Sequence, residues 1–347
     1  MQSIVLNKRK KEKNIQRNQG IDILRMLLCF RIVLLHCYTS KDRFINKLRR
    51  NLYQVTCFFF ISFIYLYPTL SSRNIEKMKL RLERLSIPYI IYPITFWIIE
   101  NLMFLLFKFN RLNRFLTFTE LKSHITIGRG ISDLSILWFL FHLQIITIFF
   151  FIFSLLLKKH FLLVFQTFCL LCYQMQYTGI NYNFFNQYTN NVFTSIGNFI
   201  ETVPVATLAF SLSKINFIKM ISNEKMKIIF FFSFFFYFIC EYNIFHQIKG
   251  MASPGLKPLS ISFLLFSIFS LLPLNFINSK ILIAIGQMTK YTMGIYCMHR
   301  MVNSNLIYYF GKTVTFFGCI TIYIICYFIS FIGFHIFSKN KLRFLFI

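Results

Sequence analysis

The 347-residue chain is 56% hydrophobic and only 14% charged, whereas a water-soluble domain averages roughly 25% charged residues. Its net charge of +27 does not indicate nucleic acid, because the basic residues lie in short loops between apolar blocks, where they set topology and meet anionic head groups. The blocks run to about twenty residues, enough to cross a ~30 Å hydrocarbon core as a helix, and the alternating short strands of a barrel are absent. The fold class this implies is all-α, a polytopic integral membrane helical bundle of about ten transmembrane helices.

In chain order, residues 1–19 are a basic tail (Lys8, Arg9, Lys10, Lys11, Lys13, Arg17) expected on the cytoplasmic side. The apolar stretch that follows contains Asp22, Arg25 and Arg31 and lacks a small-residue cleavage site, so it is a retained span rather than a signal peptide. Spans are expected at 20–39, 52–70, 86–107, 134–157, 160–178, 192–213, 228–245, 258–276, 281–299 and 313–338. The polar stretch 179–191 is a loop, and Gly250, Pro254, Gly255 and Pro258 mark another. No internal repeat is visible. Residues 20–338 make one transmembrane domain and 339–347 a short cytoplasmic tail, with no appended soluble catalytic domain expected.

Counting Lys and Arg in alternate segments orients the bundle. With the N-terminus inside, 21 of the 38 fall in cytoplasmic segments, 14 in outer loops and three within spans, which favours a cytoplasmic location for both termini. Nearly all of the nine cysteines lie inside apolar blocks, which argues against a disulfide framework or a zinc site; Cys169 and Cys172 form a C-x-x-C within such a block. No metal is implied.

An ionisable group inside a span costs a few kcal/mol or more, so each is a functional candidate. The first span is richest. Asp22, Arg25, Cys29 and His36 share one stripe, since eleven residues at 100° close within ~20° of three turns, and Arg25 and His36 stand about 16 Å apart along the axis. A guanidinium there can hold an anionic group, and an imidazole can take a proton from a hydroxyl. Equally, Asp22 and Arg25 can form a helix-end ion pair, with His36 at the interface. Arg31 faces away, with Glu100 and Glu201 as candidate partners.

Arg81 and Arg84, one helical turn apart, are expected in the second cytoplasmic loop just before Ile87-Pro88-Tyr89; that spacing suits a phosphate and equally suits positive-inside anchoring. Trp138 with Phe139 has the character of an interfacial aromatic pair. His299 is expected near the end of the ninth span.

Taken in order, these motifs resemble acyltransferase family 3, the integral-membrane O-acyltransferases that modify surface and extracellular glycans. The stretch from Asn18 through Arg25 to His36 resembles the family's opening signature of an Arg, ten residues and a His. Cys57 to Ser62 resembles its second-span motif, with Phe63 standing where the family continues with Gly. Arg81-x-x-Arg84 with Ile-Pro-Tyr resembles its cytoplasmic element, Leu137-Trp138-Phe139-Leu140 its Trp-Phe span, and Gly286 through Gly294-Ile-Tyr-Cys-Met-His299 its late motif.

The resemblance implies an acyltransferase for groups other than aminoacyl, taking cytoplasmic acyl-CoA (acetyl-CoA foremost) as donor. Its acceptor would be a hydroxyl of a cell-surface or lipid-linked saccharide. It implies a multi-pass protein of the cell membrane, in contact with membrane lipids and with no nucleic-acid partner. It assigns His36 as general base or transient acyl carrier, Arg25 to donor or site orientation, Arg81 and Arg84 to the CoA phosphates, and His299 to the same cavity. The rival class is a carrier or glycan flippase without chemistry, whose usual broken helices in paired repeats are not apparent in the sequence.

Overall fold

The computed structural model describes residues 18–38, 54–107, 114–127, 137–157, 160–164, 166–167, 205–214, 228–229, 231–236, 256–271, 278–310 and 314–346. The first helix, α1 (Gln19–Cys37), starts where the side chain of Asn18 accepts a hydrogen bond from the Ile21 amide at 3.1 Å as its N-cap. α2 (Gln54–Ser72) ends at a tight reversal in which Arg73 takes a left-handed conformation (φ 51°). Asn74 then caps α3 (Ile75–Phe107) through the Lys77 amide at 2.8 Å.

The start of α3 corrects the expected third span. The helix begins at Ile75, not near residue 86, so Arg81 and Arg84 stand on a helix and not in a loop. At 33 residues it is about 50 Å long, well beyond a ~30 Å hydrocarbon core. Pro88 and Pro93 lie inside it. α5 (Trp138–Leu157) is fastened beside Pro88, where Gln144 accepts from the Ser86 hydroxyl at 2.9 Å and donates to the Leu85 carbonyl at 3.3 Å.

Between them lies a helix that hydropathy does not announce, α4 (Phe118–Ile127). Its start is a capping box: Thr117 accepts from the Glu120 amide, and Glu120 accepts from the Thr117 amide at 3.0 Å. The Asn101 side chain holds both backbone groups of Leu116, and Trp97 donates to the same carbonyl, so α4 is tied back onto α3.

The second half contains α6 (Leu256–Leu271), α7 (Ser279–Met288), a 3-10 turn at Thr289–Tyr291, α8 (Thr292–Phe310), α9 (Phe316–Ile336) and a 3-10 turn at Lys341–Leu345. The expected span 281–299 is therefore two helices joined at a break. His299 lies in the interior of α8, not near the end of a span.

Among the described residues every element is helical. The helices Ile75–Leu106, Phe139–Leu157 and Phe316–Ile336 are long and apolar enough to cross a membrane, and Thr56–Ser72, Val205–Lys214 and Leu259–Ser270 are shorter apolar helices. The expected spans at 160–178, 192–213 and 228–245 fall largely outside the described residues, as do Glu201 and the C-x-x-C of Cys169 and Cys172.

α1 is the hub, packed against α2, α6, α7, α8 and α9. The main core is aromatic. Phe63 is fully buried and meets Phe59, Phe150 and Phe210 at ring-centroid distances of 5.7, 5.8 and 5.8 Å. In lipid the hydrophobic drive between helices is weak, so such packing, worth about 0.5–1.5 kcal/mol per aromatic pair, is what holds helices in register. Phe139 belongs to this core, 5% exposed and 4.6 Å from the Phe59 ring, which corrects its reading as an interfacial residue. Six cysteines (29, 37, 57, 297, 319, 326) are described, each buried as a free thiol.

Candidate functional site

The polar stripe of α1 lies along α8 and the turn before it, the two helices running in parallel. Asp22 accepts from the Thr289 hydroxyl at 3.3 Å. One turn on, Arg25 donates to the Thr292 hydroxyl at 3.4 Å, and Cys29 donates to the Thr292 carbonyl at 3.4 Å. At the far end the His36 and His299 rings stand 5.4 Å apart between centroids, and Cys37 donates to the His299 carbonyl at 3.8 Å. The helical spacing of Asp22, Arg25, Cys29 and His36 thus becomes a seam of contacts with residues more than 260 positions away in sequence.

The two histidines differ in setting. His36 is exposed, whereas His299 is fully buried. His299 Nδ1 lies 2.8 Å from the Tyr296 carbonyl, which only accepts, so in the neutral ring Nδ1 carries the hydrogen. Nε2 then presents its lone pair, buried and without a hydrogen-bond partner among the described residues. That lone pair can accept a hydrogen bond from a hydroxyl.

A cavity of about 720 Å³ opens beside this seam, within the range of small-molecule sites. Five of its lining residues are cations: Arg25 from α1, Lys77, Arg81 and Arg84 from α3, and Lys290 from the break between α7 and α8. No carboxylate is among the described lining residues. Lys77, Arg84 and Lys290 are exposed at the rim, while Arg25 and Arg81 are half-buried deeper in. Arg81 is held by Ser62 of α2, donating to its hydroxyl at 2.6 Å and its carbonyl at 3.2 Å.

The rest of the lining is mainly apolar and aromatic, with Phe58, Ile61, Tyr65, Phe139, Leu143, Met293 and Tyr296. Phe139 and Tyr296 meet edge to face at 5.5 Å, and the Tyr296 ring is 6.1 Å from that of His299. Through Tyr296 this aromatic wall adjoins the histidine pair.

Of the residues singled out in the sequence, Arg25, Arg81 and Arg84 come together on one cavity, and His36 and His299 come together outside its lining, next to Tyr296. Arg31 and Glu100 are buried in other parts of the bundle wall and do not line it. Phe63 packs in the aromatic core, away from the lining. Sequence reasoning gave no individual role to Lys77, Lys290, Ser62, Thr289, Thr292 and Tyr296. Ser62, Thr289, Thr292 and Tyr296 lay within stretches that carry the family resemblance, and Lys290 stood out as a charge inside an expected span.

The membrane-length apolar helices among the described residues are those of an α-helical membrane protein. A protein-family model for an acyltransferase domain, that of acyltransferase family 3, matches residues 18–338, nearly the whole chain, and the protein belongs to this family. No curated protein and no solved structure matches it.

Proposed function

We propose that the protein is a membrane-bound O-acyltransferase that moves an acetyl group from cytoplasmic acetyl-CoA to a hydroxyl of a cell-surface or lipid-linked saccharide. It would reside in the cell membrane with both termini cytoplasmic. The observation that carries this reading is one cavity lined by five cations and by an aromatic wall, with two histidines 5.4 Å apart next to Tyr296 of that wall.

The donor's chemistry matches that lining. A coenzyme bearing a pyrophosphate and a further phosphate suits Arg81, Arg84, Lys77, Lys290 and Arg25, because charge-assisted hydrogen bonds are about twice as strong as neutral ones and guanidiniums bind phosphate bidentately. The thioester end would then lie among Phe58, Phe139 and Tyr296.

In the step itself, the acceptor hydroxyl oxygen attacks the thioester carbonyl carbon and a new C–O bond forms. His36, the exposed member of the pair, takes the hydroxyl proton, and the C–S bond breaks. The departing thiolate regains a proton from the imidazolium, so charge and atoms balance. His299, with Nδ1 committed to Tyr296, would keep its Nε2 lone pair toward the reacting hydroxyl or toward His36. The resemblance to glycan-modifying acyltransferases supports a saccharide acceptor, and the exposed side of His36 gives it an approach.

The test is transfer of label from radiolabelled acetyl-CoA to glycan in vesicles holding wild type or His36→Ala at equal levels. The expected outcome is incorporation by wild type and a loss of a hundredfold or more in the variant, the order of magnitude for removing a general base. Equal incorporation by both would sink the role of His36. No incorporation from any short acyl-CoA by folded protein would leave a carrier as the better reading.

A further inference from the structure

We infer that the segment following α9 is part of the donor site, with Phe344 a positioning residue that holds the Arg84 guanidinium at the cavity rim. The inference rests on the donor reading above. Phe344 is 1% exposed, although it lies in a short turn among Lys341, Arg343 and other surface residues. The Arg84 guanidinium carbon is 5.5 Å from the centre of its ring, within cation–π range, and that of Arg343 is at 5.3 Å. An aromatic face orients a guanidinium without neutralising it. A carboxylate in the same place would cancel the charge that a phosphate needs.

The rest of the segment is docked as firmly. Lys341 pairs with Glu83 at 2.6 Å, drawing to the outside the one carboxylate adjacent in sequence to Arg84. The Tyr92 hydroxyl donates to the Leu345 carbonyl at 2.8 Å. Two glycines admit the chain. A Cβ at Gly294 would sit 3.0 Å from the Phe346 carbonyl oxygen, and one at Gly333 would collide with the Phe346 ring. Segment 341–346 therefore fastens α3, α8 and α9 together at the level where Arg84, Thr292, Met293 and Phe334 line the cavity.

The experiment uses the full-length protein in nanodiscs, with KM for acetyl-CoA and kcat measured for wild type, Phe344→Leu, Phe344→Trp, Arg84→Ala and the Arg84→Ala/Phe344→Leu double variant. Leucine keeps the bulk and removes the ring's electrostatics. The expected result is a KM raised about fivefold by Phe344→Leu at unchanged kcat, which corresponds to a cation–π contact of about 1 kcal/mol. Phe344→Trp should retain wild-type KM. In the Arg84→Ala background, Phe344→Leu should add nothing, whereas a merely structural role would carry its full effect into the double variant.

Equal effects of Phe344→Leu in both backgrounds, or no effect in either, would overturn the inference and leave the donor reading standing. A wild-type KM in Arg84→Ala would instead remove Arg84 from the donor site and the role of Phe344 with it. Absence of acetyl-CoA turnover by the wild type would overturn both readings at their common base.

Discussion

Arg25 illustrates how one side chain is readied for a ligand inside a membrane. Its guanidinium donates to the Thr292 hydroxyl, and that hydroxyl donates onward to the Thr289 carbonyl at 3.0 Å, so a single threonine accepts from the cation and anchors itself to the turn. Replacing Thr292 by Val keeps the shape and removes the acceptor. The expected cost is about 1–3 kcal/mol, seen as a lower thermal midpoint, together with a raised KM for acetyl-CoA, and Thr292→Ser should recover both. A Val variant indistinguishable from wild type would show that Arg25 is positioned by something else. At this scale the sequence disclosed the cation and the histidine, because their eleven-residue spacing is a property of one helix. It did not disclose Thr292, whose importance comes from facing Arg25 across 267 positions.

The elements show why hydropathy misplaced boundaries. Hydropathy marks the stretch that matches hydrocarbon, and Lys, Arg and Glu are good helix formers, so the charged first turns of α3 read as a loop. The break after α7 is subtler, since it contains neither Gly nor Pro. There the Thr289 hydroxyl shares its one hydrogen between the Gly286 carbonyl at 2.9 Å and Asp22 at 3.3 Å, competing with the helix ladder at that turn. α4 could have been found from Thr117-Phe-Thr-Glu120, a capping-box pattern.

That cap also gives a pH prediction. The Arg114 side chain, bonded to Glu120 at 2.6 Å, and the Thr117 amide hold the Glu120 carboxyl down to about 2. A depressed folded pKa contributes stability that is fully present above the ordinary carboxylate range and lost as pH falls through about 2. Amide exchange in residues 118–127 of wild type should therefore, after correction for intrinsic rates, show unchanged protection between pH 7 and 4.5. Glu120→Gln should already be less protected at pH 7, and equal protection in the two proteins would dismiss the cap.

For the molecule as a whole, the five cavity cations come from positions 25, 77, 81, 84 and 290, on three separate elements that meet only in the folded bundle. The same packing puts the basic start of α3, the break before α8 and the segment after α9 at one end of the molecule, and the histidine pair toward the other. If that basic end faces the cytoplasm, as the loop charges imply, a green fluorescent protein fused after Ile347 should fluoresce in cells, and a periplasm-dependent phosphatase fused there should be inactive. The reverse pattern would invert the bundle and place the cations away from cytoplasmic acyl-CoA.

The sequence by itself determined the helical membrane class, the family, and the residues whose cost in lipid marks them out, because these follow from local composition, helical period and motif order. It could assign Arg25, Arg81, Arg84, His36 and His299 as candidates one helix at a time. Only the tertiary structure decided that the arginines share one cavity with Lys77 and Lys290, that α8 begins at a break pinned by Asp22, and that Phe344 reaches Arg84. Each of those depends on side chains distant in sequence meeting across helix faces, and hydropathy and spacing describe one segment without saying what lies against it.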